Sequence, residues 1–180
     1  MPELINNNAD LSLVEDRVRY YIKTAVEQEA DLVLSACSSI GEIFEKEDQN
    51  YRIPIMRIDS AMAEKAVKNA AKIGVAATLE TTLNPSIELI KKKAAGLNKN
   101  VEIKTTLADS AYQKLMAGDQ KGHDQLLAEK LKELAAEVEI VVLAQASMAR
   151  AVSVLPAEIQ DKFLTSPESG IEKAVESIKN

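Results

Sequence analysis

Two stretches of this chain can be laid over each other without a gap. "ADLVLSACSS" (30–39) aligns with "VEIVVLAQAS" (138–147), so that Ala36 meets Ala144, Cys37 meets Gln145 and Ser39 meets Ser147. The shift is 145 − 37 = 108 positions. The same shift carries "EKAV" at 64–67 onto "EKAV" at 172–175. Two matches at one offset imply two structurally related halves. A strand such as "IGVAAT" at 73–78 has no counterpart in the first half, because the shift would place it before the first residue. The first half is therefore expected to be N-terminally incomplete, without a leading strand and helix.

The elements alternate. "DLVLSA", "IPIMRI", "IGVAAT", "VEIKTTL" and "EIVVLA" read as short strands. "IGVAAT" is apolar on both faces, as a buried parallel strand requires. Between them lie amphipathic stretches. "SLVEDRVRYYIKTAVEQEA" has a helical period with a capping box of Ser12 and Glu15. "IGEIFEKE" and "SAMAEKAVKNAAK" are helices, and "NPSIELIKKKAAG" is one with Asn84 as cap, Pro85 in its first turn and Gly96 at its end. "SAYQKLMAG", "HDQLLAEKLKELAAE" and "IEKAVESIK" complete the set. Aromatic residues are only 3% of the chain, so the core must be Ala, Val, Leu and Ile. The expectation is an α/β fold of two similar lobes, each a short parallel sheet flanked by helices, with a ligand cleft between them. Residues 1–68 plus 147–180 form the first lobe and 69–146 the second. An incomplete lobe leaves a strand edge unpaired, which predicts a homo-oligomer.

A net charge of −6 with no basic cluster argues against a nucleic-acid partner, and "IKKKAAG" reads as a solvated helix face. One cysteine excludes an intrachain disulfide and a cysteine-based zinc cluster, and no metal is expected. No signal peptide or membrane-spanning segment is visible, so the chain reads by default as soluble and cytoplasmic, with no membrane partner.

The lone thiol, in "LSACSSIGE" (34–42), has two readings. Free cysteines are usually small buried hydrophobes. A thiol at the carboxyl end of a strand, followed by a helix start, is also where α/β sheets place reactive groups. "LSACSSIGE", "IPIMRIDSAMAEKAV", "IGVAATLETTLNPSIELI" and "IVVLAQASMARAV", in that order, resemble the aspartate/glutamate/hydantoin racemase superfamily over nearly the whole chain. The nearest likeness is to its branch with "CSS" first and "AQASMA" late.

That resemblance implies two α/β lobes around a cleft and a cofactor-independent reaction at the α-carbon of a small amino acid or carboxylate. It makes Cys37 the first-lobe cysteine and gives Ser38 and Ser39 to a substrate carboxylate. Thr78, Thr81 and Thr82 fall on the loop that would hold a second anionic group, and Ser147 on the second-lobe loop. Gln145 stands where two-base members carry their second cysteine. An amide hydrogen-bonds but exchanges no proton usefully, so racemisation by two thiols is not open to one chain. The implied function is a racemase-like isomerase. The alternatives are a single-cysteine decarboxylase or lyase and a degenerate, non-catalytic carboxylate-binding protein. The sole histidine, His123, is expected at a surface or capping position at a helix start. Asp59 is expected to cap a helix, with a place in the cleft as its alternative. Arg150 is expected to be exposed, with a carboxylate as its alternative partner.

Overall fold

The computed structural model describes residues 2–7 and 10–179. In chain order its main elements are α1 (Pro2–Asn6), α2 (Ser12–Glu27), β1 (Val33–Ser35), α3 (Gly41–Glu47), β2 (Ile55–Arg57), α4 (Ser60–Asn69), β3 (Lys72–Ala77), α5 (Glu80–Gly96), β4 (Glu102–Leu107), α6 (Asp109–Met116), α7 (Gln120–Ala135), β5 (Ile140–Leu143), α8 (Ala149–Val152), α9 (Ala157–Gln160), β6 (Phe163–Leu164) and α10 (Ser166–Lys179). β1 and β2 pair in parallel as one sheet, and a second parallel sheet has the order β4-β3-β5-β6. The chain is thus α/β with two parallel sheets flanked by helices. Among the described residues no helix is long and apolar enough to cross a membrane.

The central strands of the second sheet, β3 and β5, are covered on both faces, which is why they are almost wholly apolar, whereas the edge strand β4 is mixed and part-exposed. Successive side chains point to opposite faces. Ile73, Val75 and Ala77 of β3, with Val142 of β5, enter one core under α4 and α5. Ala76, Val141 and Leu143 enter the other with Leu127, Leu131 and Leu134 of α7. A third core holds Leu4, Val14, Val18, Ile22, Ile43, Phe44 and Ile55 around β1 and β2. Val14, Val18 and Ile22 recur every fourth residue and lay one stripe of α2 on it.

The 108-residue echo is a structural repeat. β1 pairs with β2 through Val33↔Ile55 and Leu34↔Met56, and β5 with β6 through Val141↔Phe163 and Val142↔Leu164. Each of these partners moves by the same offset. Val33 N–H donates to the Pro54 carbonyl at 3.0 Å, and Val141 N–H to that of Lys162 at 2.8 Å. α2 and α7 coincide end to end under the shift, and a 3₁₀ turn follows each strand, at 38–40 and at 146–148.

Part of the chain expected in the first lobe packs with the second sheet. Met62, Ala63, Ala66 and Val67 of α4 are buried in the core with β3, and β6 extends the β5 edge. α10 packs on α4.

Several expected helix starts are displaced. No capping box forms at α2: the Asp10 carboxylate accepts the Ser12 N–H at 3.0 Å, and Glu15 pairs with Arg19. α5 begins at Glu80 rather than at Asn84, because Thr82 donates both its N–H and its hydroxyl to the Leu79 carbonyl, at 3.1 and 2.8 Å. Pro85 therefore lies inside the helix, where it has no N–H for the Thr81 carbonyl. Gly96 does end the helix.

Gly170 presses α10 onto the start of α4, and a Cβ there would lie 2.3 Å from the Ile58 carbonyl oxygen. Backbone cannot swing aside as a side chain does. Gly170→Ala is expected to cost about 1–3 kcal/mol, read as a lowered midpoint in urea unfolding; an unchanged midpoint would mean that α10 is not seated on Ile58.

Candidate active site

The carboxyl ends of β1, β3, β4 and β5 carry Cys37, Thr78, Asp109 and Gln145, each within two residues of its strand. In open parallel sheets that end is where ligands bind. Cys37 and Gln145 hold matching backbones. Both are extended (φ −122°, ψ 111° and φ −134°, ψ 130°) and both immediately precede a 3₁₀ turn. The Cys37 carbonyl accepts from Ile40 N–H at 3.3 Å, and that of Gln145 from Met148 N–H at 3.1 Å.

Three contacts build the site. The Ser38 hydroxyl donates to the Ala144 carbonyl at 3.2 Å, so the residue after Cys37 touches the residue before Gln145. Gln145 Oε1 accepts from the Thr78 N–H at 2.7 Å and from the Thr78 hydroxyl at 3.0 Å. Those two bonds fix the amide's acceptor end and leave its Nε2 as the end suited to meeting a ligand oxygen. Buried Ser35 clamps the cysteine backbone: it accepts from Cys37 N–H at 3.3 Å and donates to the Cys37 carbonyl at 3.2 Å. The Cys37 side chain is half-buried and packs on the third core, around β1 and β2. α3 begins only at Gly41, so a 3₁₀ turn, not an α-helix N-terminus, follows the thiol.

A cavity of about 540 Å³ opens at Thr78, and Cys37, Ser38 and Gln145 are not among the residues that line it. Thr78, Thr81, Glu80, Asn84 and Asp109 line it, with Ile5 closing it from the first lobe. Its two carboxylates suit a ligand that carries an ammonium group. Thr82 is half-buried, with its hydroxyl on Leu79, and Ser147 is exposed. Ser39 is buried and lines a second cavity of about 690 Å³ with Arg57, Glu42, Glu45 and Asn84. There the Arg57 guanidinium is taken up by Asp59, at 2.7 and 2.9 Å, and by Glu45 at 3.5 Å. Burial lowers the Arg57 pKa, but these carboxylates outweigh it and hold the group above its ordinary value.

That pairing corrects Asp59. It stands at the N-cap of α4, yet its carboxylate is drawn to the buried Arg57 instead of the helix N–H groups. His123 is corrected as well. α7 starts at Gln120, capped by Asp119, which accepts from Gly122 N–H at 2.8 Å. His123 thereby falls on the stripe with Leu127 and Leu131 and is 1% exposed. Its Nδ1 lies 2.7 Å from Asp124, which Arg150 also approaches at 3.4 Å, so exposed Arg150 does pair with a carboxylate. Burial alone would raise the Asp124 pKa; the bonds from His123 and Arg150 outweigh it and hold the carboxyl below its usual range.

Ser35, Glu80, Asn84 and Asp109 were not among the expected site residues. In the sequence Asn84 reads as a helix cap, and Ser35 and Asp109 carry no motif. Their signal is position alone, at or beside strand ends. Among the described residues, no three His, Cys, Asp or Glu side chains converge to hold a metal ion.

A family model described as Asp/Glu/hydantoin racemase matches residues 1–174. No curated protein matches the chain. Glutamate racemase from Francisella tularensis, solved in complex with D-glutamate, superposes with a TM-score of 0.68 at 18% identity, over 92% of this chain and 63% of that one. Allantoin racemase from Klebsiella pneumoniae gives 0.60 at 20% identity, over 90% and 64%. Arylmalonate decarboxylase gives 0.57 at 11%, over 94% and 78%. The chain spans less than two thirds of the length of either racemase. At these identities the likeness establishes the fold.

The Thr78–Gln145 pair generates a stability prediction. Gln145→Leu strands the Thr78 N–H and hydroxyl and is expected to cost about 1–3 kcal/mol, whereas Gln145→Glu keeps an acceptor and loses less. Thermal unfolding of the two variants checks this; equal losses would mean that the bonds to Thr78 do not set the loop.

Proposed function

Because the chain belongs to the Asp/Glu/hydantoin racemase family, we propose that it is a cofactor-independent enzyme acting at the α-carbon of a small amino acid or carboxylate, with Cys37 as its acid/base group. The observation that carries this reading is the Ser38–Ala144 hydrogen bond, which brings the Cys37 turn against the Gln145 turn beside the Thr78 cavity. The D-glutamate bound in the Francisella tularensis enzyme supports an amino-acid ligand. In this assignment Ser38, Ser39 and the Gln145 amide receive the reacting carboxylate, and Thr78, Thr81 and Thr82 receive a second polar group. Ser147 borders the site, and Glu80 and Asp109 attract the ammonium.

Proton transfer follows from these placements. The Cys37 thiolate takes the α-proton: the C–H bond breaks, an S–H bond forms, and the electron pair is delocalised into the substrate carboxylate. Gln145 stands on the other loop and supplies hydrogen bonds but no proton. Return of the proton from Cys37 restores the original configuration, so in D₂O the expected primary reaction is α-hydrogen exchange with retention. The same thiol can serve a decarboxylation, in which the C–CO₂⁻ bond breaks, CO₂ departs and the Cys37 S–H protonates the carbanion. The fixed Gln145 acceptor and the likeness to arylmalonate decarboxylase favour this as the second reading.

Proton NMR in D₂O, with aspartate, glutamate and small 2-substituted malonates, tests the assignment. Exchange or CO₂ release is expected, falling by at least about 100-fold in Cys37→Ala, with racemisation gained in Gln145→Cys. Turnover that survives Cys37→Ala would remove Cys37 from the chemistry. Ligand binding without any exchange would assign the protein to the non-catalytic class.

A further inference from the structure

The repeat allows each surface of one half to be compared with its equivalent in the other, and three surfaces differ in the same way. The first is a strand edge. β5 lies between β3 and β6, with Ala144 N–H donating to the Ala76 carbonyl at 2.9 Å and Glu139 N–H to that of Lys72 at 3.0 Å. Its equivalent β1 pairs only with β2 among the described residues. The amides of Ala36 and Asp31 are therefore the counterparts of two that reach β3.

The second is a helix face. Ala63 and Val67 of α4, and Ala70 just after its end, are 1%, 0% and 7% exposed, packed in the core that β3 and α5 provide. The shift carries them to Ile171, Val175 and Ile178 of α10, which are 51%, 43% and 53% exposed. These three lie on one side of the helix. The third is a turn. α5 packs against the turn 38–40, where Ser39 is 8% exposed; its equivalent Ser147 is exposed.

In the second half one segment makes all three contacts: β3 and α5, residues 72–96. We propose that the open edge of β1, the apolar face of α10 and the turn at 146–148 form one docking surface, and that its occupant is a β-strand–helix unit of the 72–96 type. The unit enters parallel to β1, with its second to fifth residues opposite Leu32, Val33, Leu34 and Ser35, the positions equivalent to the β5 partners of β3. Its strand is apolar on both faces, because it is covered on both. Its helix carries an apolar stripe for Ile171, Val175 and Ile178 and closes over Ser147, beside Gln145. Main-chain pairing supplies the attachment and the helix face the selectivity. The inference rests on the repeat and does not depend on Cys37 being catalytic.

A second copy of the chain is the competing occupant, since an unpaired edge also invites self-pairing. A synthetic peptide of residues 72–96 is the probe, added to the full chain while amide exchange across 31–37 is followed. Saturable binding is expected, with exchange at Ala36 and Asp31 slowed at least tenfold. Val175→Glu, at an exposed position, is expected to weaken peptide binding at least tenfold without loss of helix content. Ile178→Lys serves as a second variant with the same expected effect. Unchanged exchange at Ala36, or equal binding by both variants, would overturn the proposal. So would a chain that alone sediments as a dimer with the Ala36 amide already protected, because a second copy would then be the occupant.

Discussion

The Ser38 hydroxyl reaches across from the first lobe to the Ala144 carbonyl, and the geometry of the site depends on that contact. It sets the turn after β1 against the turn after β5, with Cys37 on one side and Gln145 on the other. One such bond contributes only about 0.5–1.5 kcal/mol, so it directs the lobes and does not hold them. The exposed Lys92–Glu45 pair between α5 and α3 adds little. The holding force is apolar. The chain leaves the first lobe through α4, whose Met62, Ala63, Ala66 and Val67 are nearly inaccessible in the second-lobe core. Fully burying a side chain of the size of Met62 or Val67 is worth about 1.5–3 kcal/mol. Removing α4 from that core would separate the lobes long before the loss of Ser38 did.

How much of this was legible in the sequence differs by level. The strands and their parallel pairing follow from apolar runs such as "IGVAAT", because burial on two faces leaves an unambiguous pattern. The repeat follows from two short matches, since a constant offset survives when most side chains have diverged. Helix starts were less legible. At α5 the Asn84–Pro85 pair looks like a beginning, but the Thr82 bonds to Leu79 start the helix earlier. At α7 the same kind of displacement turned an expected surface histidine into a buried one. Starting α7 three residues earlier puts His123 inside the helix instead of at its cap, and its spacing of four from Leu127 and eight from Leu131 then sets it on the buried stripe.

Parts of the candidate site were expected from a motif, and other parts arise only from tertiary contact. Thr78 and Gln145 were both expected at the cleft, and they are joined by two hydrogen bonds that span 67 residues of sequence. Ser35, which clamps Cys37, looks in sequence like an ordinary end of a strand. Asp109 enters the cavity only because β4 lies beside β3. Asp59 had the right residue type and position for a cap, and the buried Arg57 outcompeted the helix for it, because an unpaired buried guanidinium costs more than an open N-cap.

The central claim is that Cys37 and the side chain at position 145 face one another across the junction of the two lobes. Dibromobimane tests it directly, because the reagent becomes strongly fluorescent when both of its arms have alkylated thiols held close together. In Gln145→Cys, which has two thiols, the account predicts a fluorescent bridge within each monomer, formed at a rate independent of protein concentration and lost when Cys37 is also replaced by Ser. Two thiols that each take a separate reagent, or that bridge only between molecules, would contradict it.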